Sequence, residues 1–416
     1  MQIAKTLAAL FLSSALVGPF SARAQTVRPG EELPPWTEST LDIHWISTGK
    51  GDAMLCVFPD GTTMLADPGA SARPPPRVTA QRPDGSRTPG EWITRYVRHM
   101  LPPESRDALD YLLLTHFHGD HMGDLVENGK KSSLGDYLLT GVTEVGDAIP
   151  IRKILDRGWP DYSYPAPLTD PMVKNYRAFL QTQAEKRGTK IERFLPGRKD
   201  QVALTHRAAS YPEFEFRNVA ANGEIWTGAG GNTRQHFPPV ESLPRADIPS
   251  ENMCSIGYRM SYGPFDYFHG GDMPGMVDEG APPWHDVQTP VVQAVGPVEV
   301  AVVPHHGFHD SANASFAGML RARAYILAVW APSHPDARVM GRLLSERLYP
   351  GPREVFATSS MEANRVVLGN ALRLASSHGH IVIRVAPGGR TYQVIILDDS
   401  AETWKITAVH GPYDSR

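Results

Sequence analysis

The sequence predicts an α/β protein, on three observations. Short apolar or alternating runs at 41–46, 53–58, 62–66, 111–114, 298–303 and 325–330 read as strands. Between such runs lie stretches with helical spacing of apolar residues. The clearest, 91–101, carries Trp92, Ile93, Tyr96, Val97 and Met100 and stops at Pro102-Pro103. Finally, several strand-like runs end in polar clusters: Tyr111-Leu112-Leu113-Leu114 leads into Thr115-His116-Phe117-His118-Gly119-Asp120-His121. At 416 residues, an α/β fold of two sheets can use most of the chain as one unit.

Taken in order, the chain opens with an address. Lys5 precedes the apolar stretch 6–20, and Ala22-x-Ala24 is a small-residue cleavage pattern, so 1–24 is expected to be a signal peptide. The expected location is periplasmic or secreted, with no membrane span in the mature chain. Residues 25–40 are a Pro-rich lead-in, and 41–416 are expected to form the working domain. The strand at 41–46 alternates as if half-buried. Gly49–Asp52 is a turn, Pro59-Asp60-Gly61 a hairpin turn, and Asp67-Pro68-Gly69 ends the third strand. Residues 73–90 read as a surface loop. From 125 to 222 the chain is hard to assign. Within it, 156–171 reads as an exposed loop pinned by Trp159, Tyr162 and Tyr164, 172–187 as a helix closed by Gly188, and 190–195 and 214–219 as strands. Strands at 252–260 and 265–268 form a hairpin, 337–347 is a helix, and strands at 355–358, 380–385 and 392–397 close the fold.

Composition excludes some functions. A formal net charge of −4 leaves no basic footprint, so bulk electrostatics does not support a nucleic-acid partner. With only Cys56 and Cys254, there is no Cys cluster, and structural zinc of the finger type is ruled out. Both sit in apolar runs, and two buried thiols are favoured over a bridge. No Gly-x-Ser-x-Gly elbow occurs, and no Cys is arranged beside a His as a nucleophile.

The polar cluster points to metal chemistry. His116, His118, Asp120 and His121 place four strong ligands in six residues, in a chain with 16 His in all. Imidazole and carboxylate suit zinc, and also iron or manganese. His116-x-His118-x-Asp120-His121 after an apolar strand resembles the signature of the metallo-β-lactamase superfamily. Gly-x-Gly-Asp at 49–52, Asp-x-Gly at 67–69, Asn-x-x-Ser at 252–255, a hairpin ending in Gly271-Asp272 and a strand ending in His305-His306-Gly307 resemble one branch, that of the competence (DNA-uptake) protein. The resemblance implies a four-layer αββα sandwich with loop insertions. It also implies one or two Zn2+ ions (Mn2+ or Fe2+ as alternatives) held by His116, His118, Asp120, His121, Asp272 and His305. Asp272 would bridge the ions, Asp120 would hold the attacking water or the second ion, Asp67 would orient a histidine, and Lys50 and Asp52 would lie on a loop at the rim of the site. Of the adjacent pair, one histidine should bind metal while the other, His306 by preference, faces the substrate; His306, or alternatively His309, would protonate the leaving group. Many members add a histidine after a mid-chain strand. Here 214–219 runs into Ala220-Ala221-Asn222-Gly223, and His236 and His206 are poor substitutes. The implied activity is hydrolysis by a metal-activated water, of a phosphodiester or other phosphoester. The alternatives are a β-lactam or lactone hydrolase, or a non-catalytic binding protein on the same fold.

Overall fold

Two sheets face each other across an apolar layer, and helices cover both outer sides. The structure, a computed structural model, describes residues 27–71, 75–277 and 279–416, so the leader expected at 1–24 lies outside the described residues. The first half runs β1 (Leu41–Trp45), β2 (Met54–Val57), β3 (Thr63–Ala66), α1 (Pro89–Met100), β4 (Leu109–Leu113), α2 (Gly119–Met122), α3 (Gly141–Ala148), β5 (Ile151–Asp156), α4 (Pro171–Arg187) and β6 (Lys190–Arg193). Next come β7 (Phe214–Ala221), β8 (Glu224–Trp226), β9 (Thr233–Gln235), β10 (Gly257–Tyr262), β11 (Phe265–His269), α5 (Gln288–Val295), β12 (Val300–Val302), α6 (Ala314–Leu320) and β13 (Ala324–Leu327). The chain closes with α7 (Ala337–Leu343), β14 (Glu354–Ala357), α8 (Glu362–Leu368), β15 (His380–Val385), β16 (Thr391–Leu397) and β17 (Ile406–Asp414).

The first sheet has the order β17-β16-β15-β1-β2-β3-β4-β5-β6, and the second β14-β13-β12-β11-β10-β7-β8-β9. In each, the strands bearing chemistry are parallel: β3 to β6 in the first, β11 to β14 in the second. Strand β2 shows how the layers form. Met54 and Cys56 point into the layer between sheets, against residues such as Tyr258 and Met260. Leu55 and Val57 point the other way, into a core shared with Ile93 and Val97 of α1, Val145 of α3 and Phe179 of α4. Outside the second sheet, Val291, Phe316, Leu320 and Met340 from α5, α6 and α7 pack on Ala301 and Tyr325. Each such side chain contributes ~1.5–3 kcal/mol on burial. This is the four-layer αββα sandwich expected, and the ends of β4, β11 and β12 bring their loops together.

Four details differ from the expectation. Strand β1 is wholly buried: Asp42 is paired with Arg384 (2.6 Å) and the His44 ring with the Tyr96 hydroxyl (3.0 Å), so its polar residues face partners, not water. The strand expected from 252 starts at Gly257, because 252–254 forms a 3-10 turn and leaves Asn252 on a loop. The loop at 156–171 is exposed along much of its length, as expected, but Asp156, Arg157, Gly158 and Tyr162 are buried. The buried Asp156 carboxylate accepts from the Tyr162 hydroxyl (2.6 Å), the Tyr176 hydroxyl (3.2 Å) and two backbone N–H groups. The edge strand β17 and the α3–β5 unit carried no pattern strong enough to be read. Cys56 and Cys254 are free and buried in different cores, one between the sheets and one outside the second. Among the described residues, no helix is long and apolar enough to cross a membrane.

Candidate metal centre

Three loops build the site: the turn from β4 into α2, the turn after β11, and the turn after β12. Asp67, at the end of β3 with φ of 46°, ties the first one down. Its carboxylate accepts from Thr115 N (2.7 Å) and Thr115 Oγ1 (2.6 Å) and lies 3.0 Å from His121 Nδ1. With Nδ1 so engaged, His121 Nε2 faces Asp272 Oδ2 at 3.2 Å. Gly271 makes the approach of Asp272 possible. Its φ is +54°, and a Cβ there would stand 2.9 Å from Ser255 Cβ and 3.3 Å from Thr115 Cβ. From β12, His306 Nε2 reaches Asp120 Oδ2 (3.1 Å) and Asp272 Oδ2 (3.4 Å). One ligand atom from each of Asp120, His121, Asp272 and His306 lies within 4.8 Å of the other three. Beside them, His116 Nε2 is 3.1 Å from His118 Nδ1 and 3.7 Å from Asp272 Oδ2.

These residues fit a metal ion. Donors bound at ~2.0–2.1 Å to a tetrahedral ion stand roughly 3.3 Å apart, and the spacings above bracket that value. His121 Nε2 is buried and makes no aligned hydrogen bond, even to the Asp272 oxygen 3.2 Å away. A lone pair held in this way is what a cation satisfies.

Electrostatics agrees. Burial is the largest influence on each group, and for most of them partners overcome it. The charges of His121 and His306 hold the Asp272 carboxyl well below the usual range, and a hydrogen bond from His306 does the same for Asp120. Asp272 in turn raises His121 and His306 well above their ordinary value, helped by Asp67 and Asp52 respectively. His116 goes the other way: burial, reinforced by His121, keeps it neutral. Without an ion, the carboxylates are balanced by protons on two imidazoles that a divalent cation would replace.

The adjacent histidines take places opposite to those favoured from sequence. His306 joins the cluster, with Nδ1 3.1 Å from Ala328 O and 3.3 Å from Asp52 Oδ1, so neither ring nitrogen is left to face a substrate. His305 stands outside it, with Nδ1 2.7 Å from Asp310 Oδ1 and Nε2 3.3 Å from Asn252 Nδ2. The cause is local. Both residues have left-handed backbone (φ 50° and 55°), which breaks the alternation expected at a strand end.

Among the described residues, no imidazole fills the mid-chain gap. Asn222, in the turn after β7, accepts from Arg157 Nη1 (3.0 Å) and donates to Arg157 O (2.8 Å). His236 bonds the carbonyls of Trp284 and Asp286, and His206 lies by Ser105 and Asp110. His269 is stacked between Trp45 and Tyr258, and its Nδ1 accepts from Gly271 N. Sequence reasoning placed Asp52 on the rim, whereas it is buried behind His306. It passed over His334, whose ring stacks on His306 at 5.1 Å, and Trp330, edge-on to both. The aromatic character of the turn after β13 was the only signal for them. Lys50 stays near the rim, 2.8 Å from Asp124 and over the Trp330 ring.

No protein-family profile and no curated protein matches the chain. Among solved structures it is similar to a point mutant of the CmlA beta-hydroxylase, at 13% identity and a TM-score of 0.40, over 78% of this chain and 53% of that one. It is similar also to CmlA from Streptomyces venezuelae, described as a diiron beta-hydroxylase, at 12% identity and a TM-score of 0.39, over 85% of this chain and 55% of that one. The chain thus spans about half the length of those proteins.

Proposed function

We propose that this chain is an exported metal-dependent hydrolase acting on a phosphodiester or other phosphoester. The observation that carries the reading is the convergence of Asp120, His121, Asp272 and His306 on one point, with His116 and His118 beside it. A divalent cation held there, Zn2+ or alternatively Mn2+ or Fe2+, supplies a water acidified from pKa ~15.7 to near 7 and a Lewis acid for the substrate oxygen.

The chain's own groups do the rest. Asp67 and Asp52 lie behind His121 and His306 and keep both Nε2 atoms turned to the cluster. Asp272 stands between the two groups of histidines, close enough to serve both. Lys50 is largely buried, paired with Asp124 and over the Trp330 ring that borders His306. The phosphoester preference rests on the motifs that resemble the competence-protein branch.

The test is metal content of protein purified without chelator, together with hydrolysis of bis-p-nitrophenyl phosphate and of a chromogenic β-lactam. One or two ions per chain, with diester cleavage lost in His121→Ala and Asp272→Ala, is the expected result. Cleavage of the lactam alone moves the substrate class to cyclic amides. A metal-free protein, inactive after reconstitution, leaves only a binding role.

A further inference from the structure

The two groups of histidines are unequally provided. Asp120, His121, Asp272 and His306 make a complete set, but His116 and His118 have only a share of Asp272. Counting the shared Asp272, that position has three protein donors against four at the other, the fewest a zinc site draws, and the turn after β7 offers no further one.

The segment 251–256 lies against the loop of His116 and His118. Glu251 Oε1 accepts from Phe117 N (2.8 Å), between the two histidines. Ile256 N donates to Thr115 O (3.0 Å), and Ser255 Oγ accepts from Asp272 N (3.3 Å). This segment therefore joins the loop of His116 and His118 to the loop of Asp272. Its Asn252 has one amide atom engaged. The Asp310 carboxylate accepts from His305 Nδ1–H, which in the neutral ring leaves Nε2 to accept from Asn252 Nδ2. That bond fixes the orientation of the amide and leaves Asn252 Oδ1 buried with no hydrogen-bond partner.

We propose that Asn252, through its side-chain carbonyl oxygen, is a further protein ligand, beside the shared Asp272, of the metal position held by His116 and His118. This rests on reading the cluster as a metal centre. A neutral amide oxygen in place of an imidazole makes the donor set harder and weaker for zinc, and favours manganese by comparison. The centre then has one tight position, at Asp120, His121, Asp272 and His306, and one exchangeable position at His116, His118 and Asn252 that only shares Asp272.

The experiment is titration of the chelator-stripped full chain with Mn2+, counting free ion by electron paramagnetic resonance, with a melting curve for each variant to check folding. The wild type should show two classes of site. Asn252→Leu should weaken the looser class alone, by more than the ~10–100-fold that follows loss of an outer partner of a ligand. Asn252→Asp, which keeps an oxygen in place, should retain both classes, and Asn252→His should tighten the looser class for Zn2+. Both classes unchanged in Asn252→Leu, or both lost together while Asn252→Asp is also impaired, overturns the proposal. A single class in the wild type, abolished by His121→Ala, overturns it too but leaves the metal centre standing. No bound ion in the wild type sinks the metal centre itself.

Discussion

Asp67 Oδ2 lies 3.0 Å from His121 Nδ1 while both carboxylate oxygens are also held by Thr115. The carboxylate is thereby fixed before it fixes the imidazole, and the proton is kept on Nδ1 so that Nε2 presents its lone pair to the cluster. Asp67→Asn keeps the shape and weakens that hold. Metal affinity should fall ~10–100-fold, read by competition with a chromophoric chelator. An unchanged affinity would mean that Asp52, 3.9 Å from the same nitrogen, orients the ring by itself.

Gly69 is where backbone meets backbone. A Cβ there would stand 2.2 Å from the carbonyl carbon of His121 and 2.5 Å from its N and Cα, with no flexible side chain to give way. Gly69→Ala should push His121 off its position, lowering stability by about 1–3 kcal/mol or more and releasing metal at concentrations that saturate the wild type. Gly341 is the control. It lies in α7 with nothing within 4 Å of its Cβ position, so Gly341→Ala should be neutral or stabilising by about 0.4–1 kcal/mol. Urea midpoints of the two variants separate the cases, and equal midpoints would count against so close an approach of Gly69 to the His121 backbone.

Local pattern and long-range placement were legible to different degrees. His116, His118, Asp120 and His121 could be read because a short loop after an apolar strand leaves them nowhere else to converge, and Asp272 because it follows a hairpin by a Gly pair. The order of His305 and His306 could not be read. It depends on two successive residues with positive φ, which neither histidine announces. Asp52 and Asn252 were misplaced for a related reason. Each lies on a turn whose burial is decided by a segment far away in sequence, Asp52 by His306 and Asn252 by His305. The layers were legible where both faces of a strand are apolar, as in β2. The long edge strand β17, mostly half-buried or exposed, gave no such signal.

The cluster also predicts how the metal-free protein responds to pH. His121 and His306 have folded-state values raised above 6.5 by the carboxylates around them. Their contribution to stability is fully present below 6.5 and is lost as pH rises through the raised values, by up to about 1.4 kcal/mol per pH unit for each proton. His116, held neutral by burial, has a value below 6.5, so it takes stability away as pH falls under 6.5. Asp120 and Asp272, both lowered, lose their contribution only as pH falls below 3.8. The cluster of the stripped protein is thus most favourable close to pH 6.5 and declines on the alkaline side. A bound cation replaces the protons of His121 and His306, so the alkaline decline should disappear when metal is restored. Melting temperatures from pH 5 to 9, with chelator and with added Zn2+ or Mn2+, check this. The expected result is a gap between the two curves that widens steadily above pH 6.5. Parallel curves would mean that no protons are exchanged for the ion, and that the four residues do not bind it together.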